Sequence, residues 1–468
     1  MQYSIVNYSQ IDKALFRLEA EFYKPIYLDL EKKFYKNPNL IEFSNRIICG
    51  PFGSTILDET YTLNGIKVIR PFNIKNYQIE KDNIVYISDE DVKSKQLKIF
   101  SKGTIFFSRV GDIKCGIFPE DEGVTISPNI IAVDIKREKY NPFFLTLFFN
   151  SKYGFLQISR ELKISAQPTV STERLQNLRL PIIEIFFQNY IGSLFEKAKN
   201  WNLSAENKYN QAQNILLSEL GLTNWQPKHQ LTFVKNFSDT EQAERIDAEY
   251  YQPKYEEIVK AIKSYSGGWD TLGNLVIVKK CVEVGSGEYI NEGIPFVRVS
   301  NLSSFEITEE KYISEKLYQE IKQHQPKKGE ILFSKDATPG IAYYLNETPQ
   351  KMIPSGGILR LKNKSDKINN EYLTLVLNSI LTKEQVNRDV GGSVILHWRP
   401  DQVKRTAIPI LPEEKQTQIQ QKVTESFNLR KQSKHLLEYA KRAVEMAIEQ
   451  DEETAMQWMK KETKEMQI

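Results

Sequence analysis

The sequence predicts an α+β chain built twice: two similar α/β globular units separated by a pair of long antiparallel, coiled-coil helices, with internal pseudo-two-fold symmetry. Three observations lead there. The stretch Arg17-Leu18-Glu19-Ala20-Glu21-Phe22-Tyr23-Lys24-Pro25 returns as Arg245-Ile246-Asp247-Ala248-Glu249-Tyr250-Tyr251-Gln252-Pro253, 228 residues later (17 to 245) in a chain of 468. After each copy come short β-rich runs punctuated by Gly, Asn and Asp. After each β-rich region, apolar residues recur at alternating steps of three and four, the mark of a heptad seam.

The offset persists along the chain, which rules out a chance echo. Gly65, Arg70 and Asn73 fall on Gly293, Arg298 and Asn301. Phe144-Leu145-Thr146-Leu147-Phe148-Phe149-Asn150-Ser151 falls on Tyr372-Leu373-Thr374-Leu375-Val376-Leu377-Asn378-Ser379, and Gln188 with Ile191 on Gln416 with Ile419. Between about residues 103 and 116 the offset drifts to 226 and then 224, as Gly103/Gly329 and Gly116/Gly340 show, which a few residues of loop difference explain.

Taken in order, residues 10–36 read as an amphipathic helix ending before Asn37-Pro38. Strand-like runs follow at Ile66–Ile69, Ile84–Ile87, Thr104–Phe107 and Ile130–Ile135. Residues 143–163 have helical spacing, and an extended segment is expected from Ala166 through Ser171 to Leu180. Beyond Pro181 the seam runs Ile191, Leu194/Phe195, Ala198, Trp201, Ala205, Tyr209, Ala212, Ile215/Leu216 and Leu220, and Gly221 supplies a helix stop. The second copy opens its helix on Pro412-Glu413-Glu414, where proline and acids suit the first turn. Its seam is Ile419, Val423, Phe427, Arg430, Leu437, Ala440, Val444 and Ala447/Ile448, read as broken by a polar stretch at Lys431–Lys434. The expected divisions are therefore 1–180, a helical region 181–228, 229–408, and a second helical region 409–468. A helix of about 33 residues is roughly 50 Å long, and one with a single apolar stripe needs a partner. The twin helix is the obvious one.

With 40% hydrophobic residues each half can bury its own core, and 63 basic against 60 acidic residues leave a net charge of +3. That is only a weak pointer to a polyanion, so local clustering must carry any such argument. Cys49, Cys115 and Cys281 have no Cys-x-x-Cys spacing and the four histidines are scattered, so neither a disulfide framework nor a zinc site is expected. The opening Met1-Gln2-Tyr3-Ser4 lacks a basic segment leading into an apolar run, and no stretch of about 18 apolar residues occurs. A soluble, cytoplasmic protein with no membrane partner is expected.

Two similar heads at a fixed separation suit a reader of two separated sites on a rod-like polymer, as duplex DNA is. The chain resembles the specificity subunit of Type I restriction-modification systems over nearly all its length. The carrying residues are the paired Gly-Ile-x-x-x-Arg segments at 65–70 and 293–298, and the Gly-x-Ile-x-Phe-Ser turns Gly103–Ser108 and Gly329–Ser334. With them go Gln167-Pro168-Thr169-Val170-Ser171, Ser355-Gly356-Gly357-Ile358-Leu359-Arg360, Arg179-Leu180-Pro181-Ile182 and Ala407–Gln416. The resemblance implies a non-catalytic subunit that binds double-stranded DNA. Each target recognition domain would read one half of a bipartite target, and the helices would set the unread gap and dock two methyltransferase subunits. S-adenosylmethionine and adenine N6 methylation would belong to those partners, restriction to a separate motor subunit, and no cofactor to this chain. At Glu184-Ile185-Phe186-Phe187-Gln188 the first copy departs from the family's Pro-Glu-x-x-x-Gln helix start.

Phosphate contacts need Lys, Arg or small polar donors, while base reading favours Arg or Lys to guanine and Asn or Gln to adenine. The candidates in the first copy are Arg70, Asn73, Lys75, Asn76, Arg109, Lys114, Gln167 and Thr169. In the second copy they are Arg298, Ser300, Asn301, Lys335, Thr338, His397 and Arg399. Each competes with a plain reading as a solvated loop residue. Residues that differ between the copies are the better base readers, and Arg70/Arg298 suit a shared fold or phosphate role. For helix pairing or partner docking the candidates are Ile191, Phe195, Leu216, Leu220, Ile419, Val423, Leu437 and Val444.

A stand-alone methyltransferase or nuclease with a duplicated fold is the alternative. Asn141-Pro142-Phe143-Phe144 imitates the Asn-Pro-Pro-Phe box of an adenine methyltransferase, and Val284-Gly285-Ser286-Gly287 a cofactor loop, but they lie in different halves. The first reads better as a helix N-terminus. Glu120-Asp121 with Asp134-Ile135-Lys136 imitates a metal-dependent nuclease motif, yet its repeat partner Arg360-Leu361-Lys362 lacks the carboxylate.

Overall fold

The computed structural model describes residues 4–8, 11, 17–75, 77–81, 83–111, 113–118, 120–163, 167–390 and 396–465. The chain divides into two compact units, one of residues 1–202 with 431–468 and the other Leu203–Arg430. The divisions thus fall within the two long helices, Ile185–Glu219 and Glu413–Glu449, rather than at their starts.

In the first unit a sheet of six strands carries Ser44–Cys49, Ile130–Ile135, Ile105–Ser108 and Cys115–Ile117 as successive neighbours, the first three pairs antiparallel. Alternation decides its two faces. Ile105, Phe107, Ile131 and Val133 point into a core with the helices, while Phe106, Ile130 and Ala132 point into a second core with Ile69, Phe100 and Phe118. Ile66–Ile69 belongs to a separate small sheet whose pairing with Val124–Ile126 is parallel. The second unit repeats the arrangement with Val276–Lys280, Ile358–Asn363, Glu330–Ser334 and Ala342–Tyr344 in that order.

The repeated stretch is a structural latch. Tyr23 Oη donates to Arg17 O at 2.7 Å and Tyr251 Oη to Arg245 O at 2.6 Å. Each arginine then reaches the end of a helix in its own unit: Arg17 Nη2 donates to Arg160 O (3.2 Å), and Arg245 Nη1 to Asp389 O (3.2 Å). The carboxylates two residues on, Glu19 and Asp247, bind the guanidinium at 2.6 and 2.7 Å.

Three local expectations are corrected. The helix expected over 10–36 is a 3-10 turn, Ala20–Tyr23, followed by a helix only at Pro25–Phe34; residues 9–10 and 12–16 lie outside the described set. Pro25 forces Lys24 into extended backbone (ψ 144°), so no helix can run through it. The helix expected over 143–163 is two, Pro142–Asn150 and Lys152–Glu161, because Ser151 turns extended and caps the second through Gly154 N. The segment expected to be extended to Leu180 contains a helix, Thr172–Gln176, capped by Ser171.

The long helices bury the seam residues within each unit, and the expected break is absent. In the first unit Ile191, Phe195 and Ala198 share a core with Leu437, Ala440 and Val444; in the second, Ala212, Leu216 and Leu220 share one with Ile419 and Val423. The polar stretch does not interrupt the packing, because small serines occupy the seam. Ser433 is buried and donates to Ala198 O at 2.8 Å in the first unit; Ser426 is buried and donates to Ala205 O at 2.7 Å in the second. The positions 419, 423, 426, 430, 433, 437, 440, 444 and 447 then keep the alternating steps of four and three throughout. In the second unit Lys415 meets Glu219 at 3.0 Å and Lys422 meets Gln211 at 2.8 Å, so numbers rise on one helix as they fall on the other. The second helix stops at Glu449, and a further helix follows at Glu452–Glu465.

Both helix starts are fixed by a glutamine that sequence comparison within the chain had paired. Gln188 accepts from Asn141 N (3.0 Å) and donates to Ile183 O (2.8 Å); Gln416 accepts from Asn369 N (3.0 Å) and donates to Leu411 O (2.9 Å). The first start needs no Pro-Glu, since this buried side chain ties it to Asn141, the cap of the helix Pro142–Asn150. Among the described residues no helix is long and apolar enough to cross a membrane.

Candidate nucleic-acid interface

Each unit gathers its candidate residues on a platform of loops at one edge of its sheet. In the first, Arg109 leaves the strand Ile105–Ser108 with its N–H on Asn129 O at 2.9 Å and its carbonyl accepting from Val170 N at 3.1 Å. Gly111 N donates to Pro168 O at 2.9 Å, and Val110 faces Thr169 across an antiparallel bridge. In the second unit the same bonds recur with other residues. Lys335 N donates to Gly357 O (2.9 Å), Trp398 N to Lys335 O (2.8 Å) and Ala337 N to Leu396 O (2.9 Å), while Asp336 faces His397. Gly111 (φ 76°) and Ala337 (φ 57°) both sit in the left-handed region. For Ala337 that conformation is costly, and the surrounding bonds hold it.

The buried underside is hydrophobic, Val170 in one unit and Trp398 against Phe333 (5.7 Å between ring centres) in the other. The exposed side differs. The first unit presents Arg109, Lys114 and Gln167, with Thr169 half-buried beside them, and Arg109 Nη1 lies 3.5 Å from Cys49 Sγ. The second presents Thr338, His397 and Arg399, with Lys335 less exposed. Asp336, which sequence reasoning missed, links two of these residues: its carboxylate meets Lys335 Nζ and lies 2.9 Å from His397 Nδ1. Its only sequence signal was adjacency to Lys335.

The turns after the paired strands adjoin these platforms. Ser127 N donates to Ile69 O (2.9 Å) and Ser355 N to Val297 O (2.8 Å), which brings Arg70 and Arg298 beside the segments carrying Asn129 and Gly357. Both guanidiniums are half-buried, Arg70 Nη2 on Asn83 O at 2.5 Å and Arg298 Nη2 on Glu310 at 2.5 Å. Lys75 lies 4.4 Å from the Phe72 ring centre and 3.6 Å from Glu80, and Ser300 is exposed. Asn76 lies outside the described residues.

Asn73 and Asn301 are corrected. They are 0% and 2% exposed, and their side chains accept from Arg70 N (3.0 Å) and Arg298 N (3.1 Å) while donating to Glu80 O (3.2 Å) and Thr308 Oγ1 (3.4 Å). They close a turn and offer no amide edge to a base. The docking half of the seam assignment is corrected for the same reason. Ile191, Phe195, Leu216, Leu220, Ile419, Val423, Leu437 and Val444 are all buried inside the units, where helix pairing uses them.

The enzyme-like motifs are structural in form. Asn141 caps the helix Pro142–Asn150, accepting from Phe143 N and Phe144 N at 3.0 and 3.3 Å. Asp134 pairs with Arg46 (3.5 Å), Glu120 with Lys81 (2.6 Å) and Asp121 with Lys102 (3.9 Å). Among the described residues no cluster of three or more His, Cys, Asp or Glu could hold a metal ion. Burial pushes the Cys115 thiol well up and that of Cys281 to about 12, so neither is a ready thiolate.

Comparison with known proteins bears on the same region. Residues 272–439 match the family model of the Type I restriction modification DNA specificity domain. No curated protein matches. Among solved structures, a Type I restriction-modification S subunit from M. genitalium is similar at 12% identity and TM-score 0.36, covering 90% of this chain and 95% of that one. The HsdS subunit from Thermoanaerobacter tengcongensis is similar at 15% identity and TM-score 0.27, covering 88% and 96%. The matched residues fill most of the second unit, which is thus similar to a Type I restriction modification DNA specificity domain.

Proposed function

We propose that each unit reads one half of a bipartite duplex DNA target, that the paired long helices set the unread gap, and that the chain docks two methyltransferase subunits. Those partners carry S-adenosylmethionine and methylate adenine N6, restriction and motor subunits complete the assembly in the cytoplasm, and this chain holds no cofactor. One observation carries the reading: the same backbone platform occurs in both units, displaying Arg109, Lys114, Gln167 and Thr169 in one and Lys335, Thr338, His397 and Arg399 in the other. A shared scaffold with different side chains is what two readers of different half-sequences require. The near-balanced net charge of +3 fits a protein whose phosphate contacts come from local clusters and partner subunits.

The test is methylation by the purified chain with and without its partner subunits. The adaptor reading expects sequence-specific methylation only when both are present. Methyl transfer or cutting by the chain alone overturns it.

A further inference from the structure

Tyr77 and Phe305 stand 228 residues apart, in register with the repeat, and neither was among the candidate residues. Each occupies the tip of the loop that follows the Arg70 or Arg298 turn. In the first unit Ile74–Lys75 pairs with Gln78–Ile79, and Glu80 N closes back on Asn73 O at 2.8 Å. In the second, Leu302 bridges Ile307 and Thr308 N closes on Asn301 O at 2.9 Å. Both tips rest on long-helix residues of their own unit. The chemistry differs. Tyr77 Oη donates to Glu438, and Lys441 Nζ donates to Tyr77 Oη at 3.2 Å while pairing with Glu438 at 2.6 Å. Phe305 instead packs edge-on against Tyr209 with ring centres 4.8 Å apart, 5.7 Å from Phe427, and under the Arg430 guanidinium at 4.0 Å.

Three further observations separate this from ordinary packing. Tyr77 has φ 66°, a left-handed conformation that a bulky side chain adopts only where its surroundings impose it. Its carbonyl also accepts from Ile117 N at 3.0 Å, so a single residue joins the loop, the main sheet and the helix. In the second unit the neighbouring Ser304 Oγ donates to Asn378 Oδ1 at 2.9 Å, a second tie at the same tip. The loop that carries Arg70, Lys75 or Arg298 is therefore held at its far end by the helix.

We infer that Tyr77 and Phe305 are equivalent positioning residues, each clamping the loop of its own unit to the helix so that the platform beside it meets the bases of one half-target in a fixed pose. This rests on the bipartite reading proposed above. Each clamp then governs the fidelity of one half only, since the loop it holds belongs to one unit. The clamps are not interchangeable in their sensitivities: the Tyr77–Glu438–Lys441 contact is ionic and the Phe305–Tyr209–Arg430 contact mostly aromatic.

The test is a map of N6-methyladenine in the host strain carrying Tyr77→Ala or Phe305→Ala in the chromosomal copy. Tyr77→Ala is expected to raise methylation of sites with one mismatch in one half by at least about fivefold, part of the roughly ten- to hundredfold that a mismatch normally costs. Preference in the other half stays unchanged, and Phe305→Ala gives the converse. Tyr77→Phe, which keeps the ring and loses the hydroxyl, falls between. Should Tyr77→Ala reduce the soluble chain, Glu438→Gln probes the same contact from the helix side. Equal loosening of both halves, or less methylation overall with preference intact, overturns the clamp. An unmutated strain whose methylated sites have no two-part form overturns the bipartite reading instead.

Discussion

Arg109 and Lys114 stand exposed on the first platform, whereas Asn73 and Asn301 are buried within their turns. Arg109 and Lys335 were legible because they follow strands that the repeat had placed in register, and strand ends are where loops can meet a ligand. Asn73 and Asn301 are DNA-contact candidates on the same ground, but an asparagine three residues after the arginine that follows a strand can equally close the turn with its own side chain. Only burial decides between the two. Asn73→Ala is therefore expected to lower unfolding free energy by about 1–3 kcal/mol, because it removes the side chain that accepts from the Arg70 N–H and donates to the Glu80 carbonyl. Denaturant unfolding measures the loss, and a methylation map should show the target sequence unchanged. A shifted target with undiminished stability would return Asn73 to the readers. Arg109→Ala and Lys114→Ala behave in the opposite way. Each should leave folding intact, weaken DNA binding by the assembled complex, and, where the lost contact is to phosphate, flatten the log–log salt dependence by about 0.9 per contact.

The long helices were the most legible elements, since a heptad seam depends on spacing and on little else. Their one misreading is instructive. Ser426 and Ser433 look like a break to any count of apolar residues, yet a serine hydroxyl can satisfy itself on a facing carbonyl, and both do so opposite alanines. Ser433→Leu should overpack this narrow seam and cost about 1–3 kcal/mol, whereas Ser433→Ala should cost only about 0.5–1.5 kcal/mol, both read from denaturant midpoints. Equal tolerance of Leu and Ala would show that the helices are not closely apposed there. Elements shorter than these were less legible because single residues set them. Pro25 delays the first helix, and Ser151 divides another that its apolar composition would make continuous. A pH effect belongs to this scale. Burial alone would raise the Glu438 carboxyl, but hydrogen bonds from Lys441 and Tyr77 outweigh it and hold it below its ordinary value. Its folded value is thus depressed, so the stabilisation is fully present above the ordinary carboxylate range near 4.5 and is lost as pH falls through the depressed value. Melting temperature against pH should fall less steeply on the acid side in Glu438→Gln, and an unaltered slope would mean that the carboxylate contributes nothing to the fold.

At the scale of the whole molecule the repeat was plain in the sequence. Where the units divide was not, because a seam looks the same on either side of a boundary that only packing defines. The platforms themselves were half legible for a related reason. Spacing locates a loop, but the backbone bonds that bring Arg109 to Thr169, or Lys335 to His397, join segments about 60 residues apart. On the proposed reading the chain supplies sequence choice through two similar platforms and leaves the chemistry to its partners. A genome-wide N6-methyladenine map tests it most directly, taken from the host, from a strain lacking this chain, and from one in which Thr338, His397 and Arg399 are replaced by alanine. The expected result is a two-part methylated sequence that vanishes with the chain, and that in the substituted strain loses definition in one half while keeping the other half and the gap. Methylation that persists without the chain, or substitutions that blur both halves alike, would contradict it.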